Sequence, residues 1–292
     1  MTPAFEDLPL ASEGPPGNAW GRFGDQDELG TLNLITPDTI VRAAKEIQTG
    51  VRISLDWLLS KPSHPSFGRK GFQQEIVHRS PNCINDDILT FNTQGSSQWD
   101  GFRHYAVVEA GGITGRGVLL DYAQWAATKN LKIQPLSSTP ITVESLEAMV
   151  KDFQIEIHPG DILFIRSGFT AAYNELNEQE RMNLAQRPSP DFIGVEATEN
   201  MLRWLWKYQF GAVAGDAPSF ERAPIRGPHA DPRYNLHEWV LAGWGCPIGE
   251  LFDLERLSQH CSATGRYTFF LSSVPLKVPG GVASPPNAIA VF

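Results

Sequence analysis

The chain has 292 residues, 41% of them hydrophobic and 20% charged, and carries a net charge of -9. That length buries a large core, and the composition is that of a globular rather than a disordered chain. The negative balance argues against nucleic acid or an anionic membrane surface as the main partner, because both require a basic footprint. Residues 1–18 are acidic and rich in Pro and Gly, and read as a loose arm ahead of a single domain spanning 19–292. The arm lacks the basic and apolar regions of a signal peptide. No apolar run approaches the ~20 residues that a membrane span needs. Three scattered cysteines, Cys83, Cys246 and Cys261, form neither a disulfide framework nor a CxxC knuckle. The expected setting is the cytoplasm.

Residues 20–33 are dense in Gly, Asp and aromatics and read as an ordered loop. Thr36-Pro37 gives an N-cap with proline at the first helical position. Ile40, Val41, Ala44 and Ile47 continue that helix, and Gly50 stops it. Residues 51–55 predict a strand, 61–72 a surface loop, and 87–93 another strand. Residues 105–108 and 117–121 predict short strands around the Gly111-Gly112 turn. Thr142 caps a helix running to about Phe153. His158-Pro159-Gly160-Asp161 is a turn, and the apolar run 162–165 suits a strand buried on both faces. A polar helix is expected over 171–186. A second, over 196–209, has an apolar stripe of Met201, Leu202, Leu205 and Trp206. Residues 211–214 predict a strand, 236–242 and 254–261 helices, and 268–274 a strand. Strands and helices alternate, which predicts an α/β fold.

The densest chemistry lies in Gln94-Gly95-Ser96-Ser97-Gln98-Trp99-Asp100-Gly101-Phe102-Arg103-His104. Carboxylate and imidazole are the groups that hold divalent metals and move protons. Gly95 and Gly101 permit tight turns, so a strand-to-turn setting is expected, with side chains converging on one point. Crowded polar groups flanked by apolar strands need partners, and a metal or a substrate is one such partner. Far downstream, His237 and Glu250 are of the types that complete a metal shell. Trp20, Phe23, Trp99 and Phe102 are candidates for the wall of an aromatic pocket. On spacing alone, all of these residues also fit ordinary core or surface roles. No Gly-x-Ser-x-Gly elbow, P-loop or Rossmann fingerprint occurs, which ranks serine-nucleophile and nucleotide chemistry low.

Further pieces stand in order along the chain: Trp20-Gly21-Arg22-Phe23-Gly24, Asp27-Glu28-Leu29-Gly30-Thr31-Leu32-Asn33, Gly115-Arg116-Gly117-Val118-Leu119-Leu120-Asp121, Pro159-Gly160-Asp161-Ile162, Gly215-Asp216-Ala217-Pro218-Ser219, Leu236-His237, Gly249-Glu250-Leu251 and Pro275-Leu276-Lys277-Val278. This ordered set resembles the cyclase family, whose members include bacterial kynurenine formamidases and isatin hydrolases. That family's motif, His-x-Gly-Thr-His-x-Asp-x-Pro-x-His, falls on residues 94–104 when aligned on its Asp and last His. The resemblance implies an α/β, swivelling β/β/α-like fold with a central β-barrel-like sheet flanked by helices. It implies that Asp100, His237 and Glu250 are metal ligands and that His104 is the catalytic acid/base. Asp216 and Ser219 would lie near the site, facing substrate or supporting the ligands.

The motif's two leading histidines are Gln94 and Gln98 here, its Thr is Ser97 and its Pro is Phe102. A glutamine oxygen is a weaker donor to zinc than imidazole. One divalent ion, zinc or manganese, is therefore expected rather than two, with Gln98 or water filling a position. A metal-free site is also compatible. The resemblance implies a metal-dependent hydrolase of a cyclic or aromatic amide or lactone acting on a small-molecule substrate. A cyclase, dehydratase or isomerase using the same site stays open, as does a degenerate small-molecule binding protein. Family members commonly form homodimers or homotetramers.

Overall fold

The computed structural model describes residues 2–101 and 104–292, with the side chains of His104 and Tyr105 outside that description. Thr36 accepts a hydrogen bond from the Thr39 amide and starts α1 (Pro37–Ala43). β1 (Arg52–Ser54) follows, then a hairpin of β2 (Gln73–His78) and β3 (Asn85–Thr90), then β4 (Gln98–Asp100). The middle of the chain runs through α2 (His104–Glu109), β5 (Ile113–Asp121), α3 (Tyr122–Thr128), β6 (Pro140–Ile141), α4 (Val143–Asp152) and β7 (Ile162–Arg166). It continues through α5 (Phe169–Glu175), α6 (Glu178–Ala185), β8 (Gly194–Val195), α7 (Glu199–Tyr208) and β9 (Ala212–Gly215). A π-helical segment, His237–Gly243, precedes β10 (Ile248–Glu250), α8 (Glu255–Thr264), β11 (Thr268–Ser273), β12 (Ala283–Ser284) and β13 (Ala288–Val291).

Among the described residues, nine strands share one sheet in the order β1-β13-β11-β5-β7-β9-β10-β4-β12. Its centre, β5-β7-β9-β10, is parallel, and the strands on either side pair antiparallel. The sheet curls into a half-barrel flanked by helices. Parallel strands need cover on both faces, which is why the first four residues of β7, 162–165, are all apolar. Its alternate residues feed two cores. Leu163 and Ile165 join Trp204, Trp206 and Trp244 on one face, while Ile162 and Phe164 join Trp99, Phe252 and Phe269 on the other. Among the described residues, no helix is long and apolar enough to cross a membrane.

Several expectations are corrected. Residues 105–108 lie in α2 rather than a strand. Their β-branched valines suggest a strand, but the Gly112 amide bonds back to the Val107 carbonyl and closes a helical end. The polar helix over 171–186 is two helices. Leu176 is extended, and Asn177 opens α6 with a reciprocal capping box to Glu180. Of the arm expected over residues 1–18, the described residues 2–18 lie against the body instead of hanging loose. Phe5 stacks on Trp239 at 5.8 Å, the Trp206 indole donates to the Pro3 carbonyl, and buried Asn18 binds the carbonyls of Ala11, Glu13 and Pro15. A Pro/Gly-rich composition limits regular elements but does not prevent side chains from docking.

Candidate metal centre

β4 and β10 pair antiparallel, with Gln98 opposite Glu250 and Trp99 opposite Gly249. The two-residue period of a strand sends Gln98, Asp100 and Glu250 to one face and Trp99 to the other. His237 enters from the π-helical segment, a wide turn of the kind often found at functional sites. Asn235 accepts a hydrogen bond from its amide and sets the entry. Asp100, His237 and Glu250 each offer one ligand atom, and these atoms all lie within 4.8 Å of one another. His237 Nε2 is 3.3 Å from Glu250 Oε1. On the far side of the ring, His237 Nδ1 meets both oxygens of buried Glu221, at 2.7 and 2.8 Å. The imidazole keeps 32% of its side-chain surface exposed, so the cluster is open to solvent there.

The electrostatics are those of buried negative charge. Desolvation pushes the Asp100 carboxyl up to about 6, and the neighbouring Glu250 charge pushes the same way. Burial works to lower His237, but the charges and hydrogen bonds of Glu221 and Glu250 outweigh it and raise the ring well above its ordinary value. Burial works to raise Glu221, yet His237 holds it below the usual carboxylate range. Two glutamine amides also serve the cluster. Gln94 Nε2 donates to Asp100 Oδ1 at 2.8 Å, and Gln98 Nε2 donates to Glu250 Oε2 at 2.7 Å.

The donor set fits one divalent ion. Two carboxylates balance its charge, and an imidazole held at Nδ1 by a carboxylate presents Nε2 as a ligand, the usual support for a metal-bound histidine. Gln98 is wholly buried, and its Oε1 has no hydrogen-bond partner among the described residues. A buried acceptor left unpaired is uncommon, and an ion would satisfy it. Gln94 and Gln98, which stand where the motif has its two leading histidines, both turn amide donors toward Asp100. A donor N–H cannot ligate a cation.

Other expected residues are placed elsewhere. Trp99 is 1% exposed and donates to Ser273 Oγ at 2.9 Å. It packs edge-on against Phe252 and Phe164, so it is a core residue rather than a substrate contact. A Cβ on facing Gly249 would come within 2.8 Å of the Trp99 ring, which explains glycine there. Trp99→Ala is expected to cost about 3–5 kcal/mol of stability, read by urea denaturation.

Asp216 is fully buried and accepts from the Ser167 amide and hydroxyl and from the Gly168 amide. It ties down the turn that enters α5 instead of facing substrate. Ser219 is half-buried, two residues before Glu221. Trp20 is 49% exposed, donates to the Ala242 carbonyl, and lines a cavity of about 580 Å³ with Arg22, Phe23, Trp244 and Gly101. That cavity adjoins the residue after Asp100, but none of the three candidate ligands lines it. Phe102 lies outside the described residues, as does the His104 side chain. The His104 backbone opens α2, four positions after Asp100.

The family model described as "Putative cyclase" matches residues 31–222. The chain belongs to the cyclase family. The structure of a protein described as a novel cyclase is 30% identical to this cyclase-family chain, covering 94% of this chain and 99% of the other, with a TM-score of 0.79. An isatin hydrolase bound to the product analogue thioisatinate shares the fold at 13% identity, with coverage of 85% and 94% and a TM-score of 0.63. A predicted metal-dependent hydrolase from Bacillus stearothermophilus does so at 16% identity, with coverage of 83% and 98% and a TM-score of 0.53. No curated protein matches the chain. Glu221 lies in none of the sequence motifs and meets His237 only through the fold.

Proposed function

We propose that this cyclase-family chain is a metal-dependent hydrolase of a cyclic or aromatic amide or lactone. The observation that carries the reading is the Asp100–His237–Glu250 cluster with Glu221 behind the imidazole. A bound divalent ion polarises a carbonyl and lowers the pKa of water toward neutrality. Asp100, His237 and Glu250 would hold that ion. Glu221 fixes the His237 tautomer, so that Nδ1 carries the proton and Nε2 faces the cluster. Gln94 and Gln98 orient the two carboxylates through their amide donors. His104 takes a proton from the attacking water and passes it to the leaving group.

A second reading rests on the glutamines. Their amides already donate to Asp100 and Glu250, which is how a metal-free cluster would be satisfied. Elemental analysis after purification without chelators or metal-affinity resin separates the two. About one equivalent of zinc or manganese is expected, consistent with one complete ligand set. Release of acid from simple lactones or N-formyl arylamines is expected with it. No ion, and none taken up on titration, would sink the metal-dependent reading.

A further inference from the structure

The loop of residues 61–72 carries Arg69 to the edge of the metal centre. Arg69 Nη1 donates to the Gln94 carbonyl at 2.7 Å, and the Gln94 side chain in turn donates to Asp100. One residue therefore separates the guanidinium from a candidate ligand, and its positive charge is felt at Asp100. The guanidinium also lies 5.0 Å from the Phe67 ring, which packs edge-on against buried Phe192. Upstream, the same loop is anchored by Ser63 on Tyr173 and His64 on Glu178. Arg69 is thus held from two sides and is not a free surface cation.

Among the described residues Arg69 has no ion-pair partner, unlike Arg79, Arg116 and Arg166. A guanidinium presents five donors in a plane, and the carbonyl of Gln94 takes one of them. The remaining edge suits a carboxylate, which it can grip with two parallel hydrogen bonds. The balance of charge points the same way. The carboxylates of Asp100, Glu250 and Glu221 outweigh a single divalent ion, so the bare centre would repel an anion. We propose that Arg69 is a substrate-binding residue that selects compounds bearing a carboxylate beside the group that reacts. The role in substrate choice rests on the hydrolase reading above, whereas carboxylate binding by Arg69 does not.

The test compares binding of succinate, glutarate and adipate with binding of their neutral diamides by calorimetry. It uses wild type, Arg69→Gln and Arg69→Lys, each with manganese and after EDTA treatment. At least one dicarboxylate is expected to bind wild type roughly tenfold or more tighter than Arg69→Gln in both metal states, as for loss of a charge-assisted pair. Arg69→Lys should keep part of the affinity, because it keeps the charge and loses the fork. In turnover, the ratio of kcat/KM for N-formylanthranilate over formanilide should fall by a similar factor in Arg69→Gln. Equal dicarboxylate affinity in wild type and Arg69→Gln, or no dicarboxylate binding to wild type, overturns the proposal. Manganese uptake is read in the same titrations. Its absence would count against the hydrolase reading alone, since the EDTA-treated comparison still reports on Arg69.

Discussion

Replacing Asp100 with alanine is expected to remove the bound ion and turnover together, whereas His104→Ala keeps the ion and loses turnover. Asp100 is almost fully buried and is one of the three candidate ligands. Its removal leaves one carboxylate and one imidazole, too few to hold a divalent ion against water. It also strips the acceptor from the Gln94 amide and one acceptor from Gln98. The ion should be lost on dialysis, with activity down by more than the ~10–100-fold typical of losing an outer partner. His104 stands four positions on, at the start of α2, and is assigned no ligand role. Loss of a positioned acid/base slows turnover by about 10²–10⁴-fold. Elemental analysis and hydrolysis assays on both variants check the split. A metal-loaded His104→Ala protein as fast as wild type would show that the proton passes through another group.

The parts of the fold legible in the sequence are those with enough residues to display a period or a cap. Thr36-Pro37 and Thr142 mark the starts of α1 and α4 because a side-chain oxygen must meet a free amide there. β7 and β9 are apolar runs in the centre of the parallel sheet. The site was harder to read because its strands are short. β4 and β10 have three residues each, too few to reveal alternation, and they pair across some 150 residues of sequence. Once Gln98-Trp99-Asp100 is known to be a strand, alternation alone turns Trp99 away from Asp100 and into the core. Residue type nominates Asp100, His237 and Glu250, and the family resemblance gives them ligand roles, but neither distinguishes the setting of Glu250 from that of Asp216. Both are buried, and their partners separate them. Asp216 is consumed by the Ser167 and Gly168 amides, while Glu250 faces His237.

Glu221→Gln is expected to weaken the ion about 10–100-fold without unfolding the protein, the usual effect of losing the partner behind a metal-bound histidine. Two effects oppose one another. Losing the Glu221 charge makes His237 less basic, which eases competition between proton and ion at Nε2. The same loss removes a negative charge near the ion and frees the tautomer, because a glutamine amide can donate to Nδ1 as well as accept from it. The second effect wins, since orientation and charge both act directly on the bound state. The backbone cannot shift to compensate. A Cβ at Gly194 would lie 2.4 Å from the Glu221 carbonyl carbon, so the two segments already touch. Manganese titration against a competing chelator measures the affinity, and thermal melting confirms the fold. An unchanged affinity would mean that His237 Nε2 is not a ligand, leaving Asp100, Glu250 and the unpaired Gln98 oxygen as an all-oxygen set. Such a set would favour manganese or magnesium over zinc, so the same titration would redirect the choice of metal.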